Sequence, residues 1–299
     1  MKKLHNISQR GSGTRDEFYE HIVKRMNENL AEIAAEVGGL TLEEGSPYFP
    51  VKILTYEVEG GNGDMIAILK GQEVTSGDEV IVGKNIQFFA APDEGYLVKK
   101  WIKDSADVED HIDDSLVLTM PDADMEVKVE FIQAHLIAYG VGNGEGEITA
   151  EVDGDAVPSD TLIRHGKEVV FTAVPSEGYR IEDWLLNSVS QSEDGETFTI
   201  SSLEADAEVI VDFLKIHEVT FEVEGENGTM TAAVDGTPIT TGDEVDEGKT
   251  VNFTAAAAGG FKVKEWKVNG VVVDGNTTES YDHVNIEDAI NVTVEFETE

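Results

Sequence analysis

Trp101, Trp184 and Trp266 are the three tryptophans of this 299-residue chain, and they stand 83 and 82 residues apart in one recurring frame. Thirty residues ahead of each is a glycine (Gly71, Gly154, Gly236), and twelve residues beyond that glycine is a Gly-Lys pair (Gly83-Lys84, Gly166-Lys167, Gly248-Lys249). Six residues ahead of each tryptophan another glycine precedes an aromatic (Gly95-Tyr96, Gly178-Tyr179, Gly260-Phe261). Each frame closes on an alternating run: Val127-Lys128-Val129-Glu130-Phe131, Val209-Ile210-Val211-Asp212-Phe213 and Val292-Thr293-Val294-Glu295-Phe296. Fixed spacing in three places means three copies of one module, over 53–132, 134–214 and 217–299. At about 80 residues each copy can hold one modest core. Triplication of this kind supplies length, valency or a scaffold rather than three active sites in a row.

Within the module the apolar period is two. Thr55-Tyr56-Glu57-Val58-Glu59 and Thr220-Phe221-Glu222-Val223-Glu224 read as half-buried strands. An Asn-Gly follows in each copy (Asn62-Gly63, Asn143-Gly144, Asn227-Gly228), a sequence that signals a tight hairpin. A third alternating run carries Phe88, Phe171 or Phe253, and the Gly-aromatic pair leads into the tryptophan strand. No stretch of 53–299 has helical periodicity. The expected fold is therefore all-β: three small β-sandwich or β-grasp-like modules of about six short strands each. The expected core is Phe88, Tyr96, Trp101 and Phe131, then Phe171, Tyr179, Trp184 and Phe213, then Phe253, Phe261, Trp266 and Phe296, because aromatics give a small domain most of its buried area. An exposed aromatic platform for sugars is the competing reading.

Sixty-one acidic and 21 basic residues give a formal net charge of −40. That surface is repelled by nucleic acid and by anionic membranes, and neither is expected as a partner. Cysteine is absent, which excludes disulfides, thiolate metal sites and cysteine nucleophiles. With no apolar run long enough for a span or a leader core, membrane insertion and a signal peptide are not expected.

Against this acidity, residues 1–15 hold Lys2, Lys3, Arg10 and Arg15 and no acid. They read as an arm that attaches to an acidic protein surface, or else as an ordinary loose terminus. Residues 16–38 read as one α-helix, with Asp16 and Glu17 in its first turn and Gly38-Gly39 as its stop. Tyr19, Val23, Met26, Leu30, Ile33 and Val37 follow a 4-3-4-3-4 spacing, the a/d seam of a coiled coil. Isoleucine at d favours three strands over two, so a homotrimer is expected, with docking on the first module as the alternative. Residues 39–52, with Gly45, Pro47 and Pro50, read as a semi-extended linker. The junctions at Ile132-Gln133 and Leu214-Lys215-Ile216 are so short that the three modules should make a semi-rigid rod.

The run Gly-Tyr-x-Val/Ile-x-x-Trp, the preceding Ala-x-Pro (Ala90 to Pro92, Ala173 to Pro175) and the closing stretch from Met120 to Phe131 resemble the divergent internalin-type B-repeat, a bacterial domain found in tandem in large surface proteins. The resemblance covers residues 53–299. The third copy departs from it, with Ala257 where the others have Pro92 and Pro175, and without the Met-Pro of the first ending. It implies a compact β-rich module related to β-grasp or immunoglobulin-like shapes, used as a stalk or adhesive spacer, with no catalytic residues.

Other motifs are weak. Gly140-x-Gly142-x-Gly144-x-Gly146 leads into a strand, not a helix, so it is a turn insertion rather than a phosphate loop. The acid-rich loop 104–114 (Asp104, Asp107, Glu109, Asp110, Asp113, Asp114) lacks EF-hand spacing and reads as a solvated loop rather than a calcium site. The seven histidines form no recognisable metal or triad motif, and no cofactor is expected. The reading is a non-enzymatic structural protein. An export-free chain of modules of extracellular type points first to a virion surface, as a phage head fibre or capsid decoration protein. The alternatives are a bacterial cell-surface adhesin or stalk and an array of carbohydrate-binding modules, with host glycans or proteins as partners of the repeats.

Overall fold

The structure, a computed structural model, describes residues 50–299 apart from Asp110. The segments expected as the basic arm and the heptad helix, and all but the end of the expected linker, lie outside the described residues. The chain divides into two compact units, one ending at Ala134 and the other spanning His135–Glu299. Every regular element among the described residues is a strand.

In the first unit the strands are β1 (Val51–Glu59), β2 (Gly63–Leu69), β3 (Gln72–Val74), β4 (Glu79–Ile81), β5 (Asn85–Pro92), β6 (Tyr96–Lys103), β7 (Ala106–Asp107), β8 (Ser115–Thr119) and the start of β9 (Met125–Val141). They make two sheets. One has the antiparallel order β3-β2-β5-β8. In the other, β6 lies antiparallel to β9, β9 parallel to β1, and β1 antiparallel to β4, while β7 extends the β6 edge. The first and last strands of the module are thus central neighbours, in register from Leu54↔Met125 to Glu59↔Glu130. Both sheets turn their apolar faces into one core: Leu54, Trp101, Val127 and Val129 from one, Ala67, Phe88 and Leu116 from the other.

The second unit repeats this plan twice. Its strands are β10 (Gly146–Val152), β11 (Asp155–Val157), β12 (Thr161–Arg164), β13 (Val169–Pro175), β14 (Tyr179–Leu186), β15 (Val189–Ser190), β16 (Thr197–Ile200) and β17 (Ala207–Glu224), then β18 (Gly228–Val234), β19 (Thr237–Ile239), β20 (Asp243–Asp246), β21 (Val251–Ala257), β22 (Phe261–Val268), β23 (Val271–Val272), β24 (Ser280–His283) and β25 (Ile290–Thr298). The four-stranded sheets are β11-β10-β13-β16 and β19-β18-β21-β24. The module count of three stands, while each copy has nine strands rather than about six, with β9 and β17 each serving two modules. Leu214-Lys215-Ile216, read from sequence as a connector, is strand: β17 closes the second module against β14 and opens the third against β20 and β25.

Two turn assignments change. The Asn-Gly after β1 does not close a hairpin, because β1 and β2 belong to different sheets. The chain crosses there from one sheet to the other. In the second module the residue paired like Gly63 is Gly146, not Gly144: Gly63 faces Pro92, Gly146 faces Pro175 and Gly228 faces Ala257. At all three positions a Cβ would meet the ring of the closing phenylalanine (Phe131, Phe213, Phe296) at 2.4–2.6 Å. Two-residue hairpins with positive φ at both residues lie elsewhere: at Lys70-Gly71, Asp153-Gly154 and Asp235-Gly236, and at Asp104-Ser105, Asn187-Ser188 and Asn269-Gly270 in the tryptophan arm. There the side-chain oxygen of Asp104, Asn187 or Asn269 accepts from the backbone N–H of Glu126, Glu208 or Asn291 at 2.8–2.9 Å.

Candidate functional site

The conserved geometry within the repeats is that of a core. Each tryptophan strand carries a bulge at one place, between Val98 and Lys100, Ile181 and Asp183, and Val263 and Glu265. In a regular strand, residues three apart point to opposite faces. The extra residue resets the alternation, so that Val98 and Trp101, Ile181 and Trp184, Val263 and Trp266 are all buried. The tryptophans have no solvent exposure, and their indole N–H groups donate to Asp113, Gly195 and Thr278 carbonyls at 2.9 Å. Each tryptophan carbonyl in turn accepts from Val108, Gln191 or Val273, so the ring and its backbone hold the following loop at two points.

Phe88, Phe171 and Phe253 are fully buried, and Phe131, Phe213 and Phe296 nearly so. Tyr96, Tyr179 and Phe261 are half-buried and pack at the margin of their cores. One aromatic set escaped the core list. Tyr56, Tyr139 and Phe221 stand edge-on to Phe88, Phe171 and Phe253 with ring centroids 5.8–6.1 Å apart. The two tyrosines donate to the Val74 and Val157 carbonyls at 2.7 and 2.6 Å, and burial raises the Tyr56 pKa. Their constant offset from the tryptophans was the available signal.

The polar candidates disperse into separate structural duties. In loop 104–114, the Asp104 carboxylate caps its hairpin, Asp107 pairs with Lys100 at 2.9 Å, and Asp113 contributes its backbone carbonyl to Trp101. Asp110 lies outside the described residues. His135 and His217 are buried at equivalent places. His135 Nε2 is 3.0 Å from His165 Nδ1, and His217 Nε2 is 3.3 Å from the Glu247 carboxylate. Among the described residues no group of three or more histidine or acidic side chains is arranged to hold a metal. Lys267 is ringed by Glu224 at 2.6 Å, Glu265 at 3.3 Å and Glu295 at 3.6 Å. Its hydrogen bond to Glu224 raises its pKa, the opposite of what a nucleophilic lysine needs. A shallow groove of about 500 Å³ lies in the second unit, with Tyr179, Lys215, Glu247, Asn285 and Glu287 along it. No described helix is long and apolar enough to cross a membrane.

A comparison with known families accounts for these shared cores. The divergent InlB B-repeat domain matches the chain three times, at 61–135, 145–217 and 219–299. The chain belongs to the divergent InlB B-repeat family. No curated protein matches the chain. Among solved structures it is similar to the pilus adhesin SpaC from Lactobacillus rhamnosus GG, at 7% identity and a TM-score of 0.22, over 83% of this chain and 44% of that one. The open conformation of the same adhesin gives 7% identity and a TM-score of 0.21, over 83% and 43%. The chain therefore spans less than half the length of these structures.

Proposed function

We propose that this B-repeat protein is a non-enzymatic structural element displayed at a bacterial cell surface, where its modules act as a stalk or adhesive spacer. The observation that carries the reading is the threefold use of one set of side chains for one structural purpose. The aromatics fill cores, and the turn asparagines and aspartate cap hairpins. What the copies share is a fold rather than a constellation of reactive groups. The net charge of −40 suits repeated modules at a surface, since like-charged copies stay solvated and apart. In this reading the heptad segment, through Tyr19, Val23, Met26, Leu30, Ile33 and Val37, gathers the chains into a trimer.

A second reading, the phage head fibre or capsid decoration protein, is favoured by one feature of the sequence: the basic, acid-free arm with Lys2, Lys3, Arg10 and Arg15 directly precedes that seam. Arms emerging together from a trimer would multiply a weak contact with an acidic capsid. One experiment separates the two. Antibody against the modules is applied to intact cells of the source bacterium and to purified particles from its induced lysate. Cell labelling that protease shaving removes supports the surface stalk. Labelling confined to particles, lost on deleting residues 1–15, overturns it in favour of the capsid reading.

A further inference from the structure

We propose that the second and third modules are locked into one rigid pair by an ionic clasp between Arg180 and Asp246. Strand β17 runs through their joint, and its backbone there is held from both sides. Tyr179 of the second module pairs with Lys215, and Ile216 N–H donates to the Gly178 carbonyl at 2.9 Å. From the third module, Asp246 pairs with Ile216, and Glu247 N–H donates to the Lys215 carbonyl at 2.9 Å. A two-residue span thus carries ladder bonds to both modules, which leaves twisting and bending of the one shared strand as the motion that side chains must restrain.

The side chains close over this span. Arg180 Nε donates to Asp246 Oδ1 at 2.6 Å and Nη2 to Asp246 Oδ2 at 2.7 Å. This is the two-point, planar arrangement that fixes direction as well as distance. A third donor, Nη1, bonds the Ile181 carbonyl at 2.8 Å, so the fork is oriented before it meets its partner. Both side chains are half-buried, unlike most of the lysine–carboxylate pairs on the module faces. Lys215 and the buried His217 both approach the Glu247 carboxylate beside it, at 3.7 and 3.3 Å, adding a second polar contact across the same stretch. One repeat earlier, the corresponding positions hold Leu97 and Arg164. The guanidinium–carboxylate pair is therefore not repeated at those two positions.

The chain has no cysteine, so labels can be placed singly. Val189 in the second module and Val271 in the third are exposed, at 63% and 70%. Spin labels at Val189→Cys and Val271→Cys in the full chain report the distance between the two modules by pulsed electron resonance. The clasp predicts a narrow distribution. Arg180→Ala, Asp246→Ala or Arg180→Asp should each roughly double its width, since modules without a fixed contact move relative to one another. Arg180→Asp combined with Asp246→Arg should narrow it again. Circular dichroism checks that every variant keeps its strands. Single variants as narrow as the parent would overturn the proposal, and so would a charge-swapped pair as broad as the singles.

Discussion

At Gly146 a methyl group would land 2.4 Å from the Phe213 ring and 2.8 Å from the Val174 carbonyl, and one of those atoms is backbone that cannot swing aside. The glycine is needed less for its dihedral freedom than for the absence of a side chain where a strand must pass under an aromatic. Gly146→Ala should therefore destabilise the second module by about 1–3 kcal/mol, the usual cost of overpacking. The measurement is thermal unfolding with segment-resolved hydrogen exchange, in which residues 146–213 should lose protection while the first module keeps it. Trp184 presents the opposite case. It is wholly buried, ring-stacked on Phe198 at 5.7 Å, and hydrogen-bonded to Gly195. Trp184→Ala empties a large site and should cost its module about 3–5 kcal/mol. The first module should stay folded, and calorimetry that showed all three modules melting together at the lowered temperature would contradict this.

At the scale of the element, what the sequence made legible depended on whether the signal was local. Strand identity was local: period-two alternation in segments such as Val127 to Phe131 needs only side chains on a pleated surface. The bulge is local as well, yet only the burial of both Val98 and Trp101, three apart, reveals it, because on a regular strand they cannot both face inward. Pairing was not local. Asn62-Gly63 has the composition of a hairpin turn, yet β1 takes its partners from β9 and β4, and the glycine answers instead to Phe131, far along the chain. Turn composition fixes the backbone of two residues and says nothing about which sheet the next strand joins. The hairpins at Asp104-Ser105 and Asn187-Ser188 lack the glycine that would have announced them. Their first residues take positive φ with side-chain oxygens tied to the strand alongside. The joint residues Leu214 to Ile216 were short enough to suggest stiffness. That they are strand depends on pairing with residues 30 to 36 away, and the Arg180–Asp246 pair that flanks them joins residues 66 apart.

For the whole molecule, repetition determines which part of the chain can carry individuality. Three modules with interchangeable cores contribute reach and copy number, and an array of this kind gains strength at a surface when several chains act together. The segment suited to gather them is 16–38, where Tyr19, Val23, Met26, Leu30, Ile33 and Val37 keep the seam spacing. A seam of about three heptads is too short to be stable as a lone helix, so the expectation is that it needs partners, and isoleucine at d favours three strands. Replacing Leu30 and Ile33 with aspartate puts charges at an a and a d position. Equilibrium ultracentrifugation at micromolar concentration should then find a trimer for the parent chain and a monomer for the variant. The circular dichroism of the β modules should be unchanged, because the core clusters among the described residues draw on positions from Leu54 to Phe296. A parent chain that is already monomeric would make the seam a docking face and remove oligomerisation from the account of this protein.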